Sequence, residues 1–165
     1  MANTYSKIQT VSVTDVSAPQ TLSFTSIPQN YTDLIIFVSA RGTADNYFRI
    51  RPNGATTGLT GVYLRGTGSV TNASTFEPWA YVTTTTDTAG VFSISQIYIA
   101  NYASSSFYKP MSIENMTENN GAAAYQILQS GLWSSSTPIT SLNLTMNTGG
   151  FSQYTKAILY GIRNS

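Results

Sequence analysis

The chain has 165 residues, eight Lys+Arg against seven Asp+Glu for a formal net charge of +1, and neither Cys nor His. That length suits one domain with a sizeable core, and the even charge balance lacks the basic face a nucleic-acid binder needs. Only 9 % of residues are charged, yet 41 % are hydrophobic, which is too apolar for disorder, while the longest apolar run, Leu34–Val38, is far too short to cross a bilayer.

Period-two alternation runs through the chain, the mark of half-buried strands. Leu22 and Phe24 open it, stopped at Ile27-Pro28. Leu34-Ile-Ile-Phe-Val38 is a continuous β-branched and aromatic run, read as a central strand covered on both faces. Phe48 and Ile50 alternate with Arg49 and Arg51 before Pro52-Asn53-Gly54 ends the strand. Val62 and Leu64 follow, then Trp79, Tyr81 and Val82, then the long breaker-free stretch Val91–Tyr102. Met111 and Ile113 alternate after Pro110, and Tyr125, Ile127 and Leu128 lead to Trp133. Leu142, Leu144 and Met146 form the next strand, and Ala157–Ile162 the last. These final two are compatible with an antiparallel pair, since Gly149 and Gly150 permit the positive φ of a reversal.

Roughly ten strands with regular turn signals predict an all-β, antiparallel β-sandwich, jelly-roll-like, spanning residues 1–165 as one domain. No stretch carries a capped 3.6-residue stripe. The segment Gly121–Leu128 is read as a strand that opens on small residues. Residues 1–13, apolar at Ile8, Val11 and Val13, read as an N-terminal arm able to add a strand to another subunit.

Catalytic machinery is hard to assemble from this composition. Without His there is no Ser-His-Asp triad and no imidazole acid or base; without Cys as well, the usual zinc ligand sets are gone. A glycosidase needs two facing carboxylates. Glu77 beside Trp79 is the most attractive start for one, although a loop-capping Glu and a core Trp explain both residues more simply. The segment Glu114-Asn-Met-Thr-Glu118-Asn-Asn120 is rich in oxygen but lacks EF-hand spacing. Arg65-Gly-Thr-Gly-Ser69 imitates a phosphate loop but lacks its Lys-Ser/Thr ending, so it reads as a hairpin. No catalytic residue, cofactor or metal is therefore predicted. The aromatics offer stacking platforms for sugars or anchors for subunit contacts. The two Trp are expected in the core, and several Tyr near loops at interfaces.

Two segments resemble a known group. One is Ile27-Pro-Gln-Asn-Tyr-Thr-Asp-Leu-Ile-Ile-Phe-Val-Ser-Ala-Arg41. The other is Ser-Ser-Ser-Thr-Pro-Ile-Thr-Ser-Leu-Asn-Leu-Thr-Met, followed by Gly-Gly-Phe and Ala-Ile-Leu-Tyr-Gly-Ile162. Together they are similar to small all-β proteins encoded among the structural genes of tailed bacteriophages. The resemblance implies a virion component made in the bacterial host cytoplasm, and brings no catalytic residues. The expectation is a capsid decoration or cement protein, a homo-oligomer with a trimer favoured, touching the major capsid protein or other virion proteins. Its contacts are expected at the arm (Tyr5, Ile8, Val11) and at the charged patches of Arg49, Arg51 and Arg65. The alternative is a tail or fibre module that binds host glycans through Tyr63, Trp79 and Tyr108. Neither reading involves nucleic acid or membrane.

Overall fold

The computed structural model describes residues 4–44, 46–118 and 124–163. Among these there is no helix; twelve strands follow one another as β1 (Thr4–Ser12), β2 (Thr21–Phe24), β3 (Asp33–Ala40), β4 (Tyr47–Pro52), β5 (Leu59–Gly66), β6 (Thr71–Thr75), β7 (Trp79–Tyr81), β8 (Ser93–Ile99), β9 (Lys109–Thr117), β10 (Tyr125–Trp133), β11 (Leu142–Met146) and β12 (Lys156–Arg163). They form an eight-stranded sheet, β1-β12-β3-β8-β9-β10-β5-β6, and a four-stranded sheet, β2-β11-β4-β7. Every strand pair is antiparallel. This is an antiparallel β-sandwich. A jelly roll partitions eight strands into two Greek keys, and the eight-over-four division gives that part of the expectation no support.

The core lies between the sheets. Alternate residues of both point inward and are fully buried, among them Phe24, Leu34, Ile36, Phe48, Ile50, Ile97, Ile113 and Leu144. The small sheet reaches from β2, which touches β1, to β7, which touches β9. The strands β10, β5 and β6 therefore overhang it at one end.

Two strands lie beyond the ten anticipated. The N-terminal segment is not a free arm: Thr4–Ser12 pairs with β12 of its own chain, and Ile8 and Val11 pack against the core. A bulge between Lys7 and Gln9 shifts the register, so that the odd spacing from Ile8 to Val11 still turns both inward. The other addition, β6, is exposed at every residue and carries no apolar alternation.

Two further expectations are corrected. The last two strands are not partners: β11 belongs to the small sheet, while β12 sits inside the large one between β1 and β3. And β3 is covered on both faces only in its first half: on its outer face Asp33 and Ile35 are buried while Phe37 and Ser39 are exposed. The hairpin at Arg65–Ser69 is observed between β5 and β6, closed by the Thr67 N–H donating to the Val70 carbonyl. Of the Gly121–Leu128 segment, residues 121–123 lie outside the described residues, and a strand begins at Tyr125.

The connection from β6 to β7 must cross the face of the large sheet. It does so over two glycines paired in register, Gly61 and Gly131. A Cβ on Gly61 would stand 2.8 Å from the Phe76 carbonyl oxygen, and one on Gly131 2.9 Å from Pro78. Only glycine leaves room for this crossing.

Candidate functional site

The crossing delivers an aromatic cluster to the overhang. Trp79 is its hub, edge-on to Tyr47 (5.7 Å between ring centres), Tyr63 (5.5 Å), Phe76 (6.0 Å) and Tyr81 (4.3 Å). Such T-shaped contacts are favoured by the ring quadrupoles. Tyr47 comes from β4 of the small sheet and Tyr63 from β5 of the large one, so the cluster bridges the layers. Together with Asn46 these rings line a pocket of about 280 Å³.

The β7 strand at its floor is an edge strand, and its outward backbone groups are met by side chains from the large sheet. The buried Gln129 accepts from the Trp79 N–H (3.0 Å) and donates to the Glu77 carbonyl (3.1 Å). The buried Asn115 accepts from the Tyr81 N–H (3.0 Å) and donates to the Tyr81 carbonyl (3.0 Å). Two amides thus stand in for a missing neighbour strand and block the edge.

Charged groups flank the pocket. Arg49 and Arg51 share Glu77, with Arg51 Nη1 2.5 Å from its carboxylate. Arg49 also donates to Asn147 and to the Tyr47 hydroxyl. On the opposite side Arg65 donates to the Tyr81 hydroxyl (2.9 Å) and lies over the Tyr125 ring. Burial pushes the Tyr81 phenol up, partly offset by this bond from Arg65. The Arg49, Arg51 and Arg65 patches are therefore not free basic surface. Their strands bring them beside Glu77 and Tyr81, where they are half-buried and engaged within the chain.

Tyr63 and Trp79 meet in this pocket, as an aromatic site requires, but Trp79 is only 4 % exposed and contributes no open ring face. Tyr108 does not join them; it is exposed just before β9. Tyr5 is exposed on the edge strand β1. The Glu114–Asn120 stretch gives no cation site in what is described: Glu114 and Met116 point outward from β9 while Asn115 and Thr117 point inward, and residues 119 and 120 lie outside the described residues. Among the described residues no three acidic side chains are grouped to hold a metal.

A second surface was not anticipated. The outer face of the large sheet carries an uncovered apolar patch among polar residues. Val62, Leu64, Ile94, Met116 and Leu128 are 49–59 % exposed, and Phe37 joins them. Register places Leu64 opposite Leu128 and Ile94 opposite Met116, making one continuous patch. The alternation at Val62 and Leu64 is real but faces solvent, because Gly61, Tyr63 and Arg65 of the same strand take the inner side. Soluble monomers rarely leave such patches open.

The chain matches no protein-family model, no curated protein and no solved structure.

Proposed function

We propose that this chain is a non-enzymatic structural subunit of a tailed-bacteriophage particle, a capsid decoration or cement protein that works as a homo-oligomer. The observation that carries the proposal is the outer face of the large sheet, with its exposed apolar patch. Six strands at ~4.8 Å spacing and about seven residues at ~3.3 Å each give a face of roughly 700 Å², close to the ~800 Å² per partner of a standard interface. The occupant we assign is a second copy of the chain. Glu114 lies within the patch and Lys156 borders it, and neither has an ion-pair partner among the described residues. They sit three strands apart. Copies set about a closed axis bring the cation of one against the carboxylate of the next, and a carboxylate about to be covered needs such a partner. A trimer closes such a ring. The resemblance to phage structural proteins and the scarcity of charge point the same way, since a nearly neutral surface has little field to keep copies apart. Cementing a shell needs only surface burial in the assembled state.

The test is the position of the protein in a cryo-EM reconstruction of the particle, with copy number from quantified virion bands. Hundreds of copies on the icosahedral lattice, with the large sheet's outer face buried between copies, is the expected result. A handful of copies at the tail overturns the decoration role. An outer face left in solvent within the particle overturns the assigned interface.

A further inference from the structure

The sheet edges are not treated alike. The β7 edge is met by the Gln129 and Asn115 amides. The β1 edge is interrupted by the bulge between Lys7 and Gln9. The Gln9 side chain accepts from the Thr25 N–H just past β2, which is itself only four residues long. Each is a device against pairing with another chain. Among the described residues the β6 edge has none. Thr71–Thr75 pairs with β5 in unbroken register, carries no charge and no proline, and is exposed at every position.

The phase of its hydrogen bonds is fixed by its two ends. At one the Thr67 N–H donates to the Val70 carbonyl, and at the other the Phe76 N–H donates to the Gly61 carbonyl. Antiparallel ladders alternate, so Val70, Asn72, Ser74 and Phe76 turn their backbone groups to β5. Thr71, Ala73 and Thr75 turn theirs to the open edge. The residues around Ala73 are also symmetric in kind. Val70-Thr-Asn-Ala-Ser-Thr-Phe76 runs apolar, Thr, small polar outward-in from both directions. A two-fold axis through Ala73 sets Ala73 opposite its copy, Thr71 opposite Thr75, Asn72 opposite Ser74 and Val70 opposite Phe76. The edge-facing residues then form the hydrogen-bonded pairs, each exchanging both of its bonds. The Val70–Phe76 pairs fall at the other positions, where side chains approach most closely. Both residues are exposed in the single chain, at 57 % and 39 %, and cross-strand apolar pairs add to the ladder. A register slipped by one residue sets edge-facing groups against inward-facing ones. Slipped by two, it parts Val70 from Phe76.

We propose that β6 is a docking edge for β6 of a second copy, paired antiparallel about Ala73 so that two large sheets continue as one. Such an isologous contact uses each copy once. It therefore joins two assemblies instead of closing a ring, and it is distinct from the face-to-face interface proposed above. Leu128, Leu64 and Ala73 lie in one row across β10, β5 and β6, and the axis carries that row into the second copy. The strip is small beside a standard interface, so it acts between copies held close together.

The chain has no cysteine, so introduced thiols report the register. The whole purified chain is oxidised with copper–phenanthroline at about 1 mM, where a weak contact is populated. Ala73→Cys should form covalent dimers, because hydrogen-bonded pairs hold their Cα atoms ~5.5 Å apart, within the span of a disulfide. It should do so at least about tenfold faster than Val16→Cys, whose exposed thiols meet only by random encounter. Thr71→Cys mixed with Thr75→Cys should cross-link across the pair. Thr71→Cys alone should not, since its copies stand ~13 Å apart along the strands. Ala73→Pro removes an N–H that faces the edge and not β5. Added to both chains of that mixture, it should abolish the cross-link with an unchanged melting temperature. Leu128→Asp, which breaks the face-to-face interface, should leave Ala73→Cys trapping intact, so the two contacts fail separately. Ala73→Cys dimers no faster than those of Val16→Cys, equal trapping of Thr71→Cys alone and mixed, or a cross-link that survives Ala73→Pro each overturns the proposal.

Discussion

The two ends of the large sheet are built on opposite terms. At the β12-β3 end the inner junction is locked by close contacts. Tyr31 lies flat against Gly161, close enough that any Cβ there would enter its ring, and Arg163 covers the ring at 5.2 Å. Asp33 is buried, accepting from the Tyr98 hydroxyl (2.7 Å) and the Asn101 N–H (2.8 Å). Leu34 pairs with Gly161 across the register. At the β10-β5-β6 end the inner face holds an aromatic pocket and two buried donors without an acceptor, and β6 is exposed throughout. One end holds the first and last described strands, β1 and β12, side by side in a single sheet. The other leaves a pocket open between its two layers.

Two segments singled out in the sequence meet at this end. Ile27–Arg41 and the run ending at Ile162 are far apart in sequence but adjacent in space, with Tyr31, Asp33, Leu34 and Gly161 forming one junction. The last of these strands, β12, is interior, flanked by β1 and β3.

The sharpest way to break the comparison is Gly161→Ala. The new methyl has no room unless Tyr31 leaves, which uncovers the β3–β12 seam. Overpacking and the lost ring contact together should cost about 3 kcal/mol, seen as a lower urea midpoint with an unchanged slope. A loss under a quarter of that would mean that Tyr31 swings aside freely and the end is not locked.

The next effect lies between the two ends. Asn115→Leu keeps the volume and removes the amide that satisfies both backbone groups of Tyr81. With water able to reach part of this edge, the loss should be about 2 kcal/mol. It should come with a shift in tryptophan emission, because Trp79 rides on the same strand. An unchanged emission spectrum would show that Gln129 alone holds β7.

Strand existence was largely legible from alternation, and its failures were local. The strand β1 broke the pattern at the Ile8 bulge, where one inserted residue shifts parity, and β6 has no buried face to produce a pattern. Which side of a strand faces the core was not legible at β5: Val62 and Leu64 carry the apolar signal, but the inner side is claimed by Gly61 for the crossing and by Tyr63 and Arg65 for the pocket. The pocket itself had a signal. Tyr47-x-Arg49 and Tyr63-x-Arg65 repeat the same pair two residues apart, which on a strand puts both side chains on one face. Read singly, those arginines resembled surface charge; only the pairing of strands revealed that Glu77 and Tyr81 engage them.

High pH separates the ends more gently. Burial, with the bond to Asp33 second, pushes the Tyr98 phenol up to about 12 from 10.0. A raised phenol favours the protonated folded state, so its contribution is complete below pH 10 and is lost as pH climbs towards 12. Buried Lys109 acts in the opposite sense. Its ammonium, held by the carbonyls of Ser104 and Phe107, is pulled down by burial. That penalty is relieved as pH rises towards the ordinary value of 10.5. Stability should therefore fall most steeply above pH 10.5, where only the tyrosine effect remains. Tyr98→Phe should cost about 1.5 kcal/mol at pH 7, the worth of a hydrogen bond to a carboxylate, and flatten the fall between pH 10 and 12. An unaltered alkaline slope in that variant would assign the fall to Tyr81 and Tyr102, whose phenols burial also raises.

The smallest effect is the most discriminating, because it reverses sign. Gly66 ends β5 at the open end, and a Cβ there would meet nothing within 4 Å. Its backbone does not need glycine, so Gly66→Ala should stabilise the chain by about 0.5 kcal/mol, chiefly by narrowing the unfolded ensemble. The same substitution would then destabilise one end of a single sheet and stabilise the other. The added methyl also lands on the outer face, in register with Gln126 and beside the apolar patch. If copies of the chain pack closely over that corner, the gain measured for the dilute monomer should shrink or invert when unfolding is repeated at concentrations where the oligomer forms. A gain that stays the same at every concentration would place the edge of the interface short of β5 and confine it to the strands from β12 to β10.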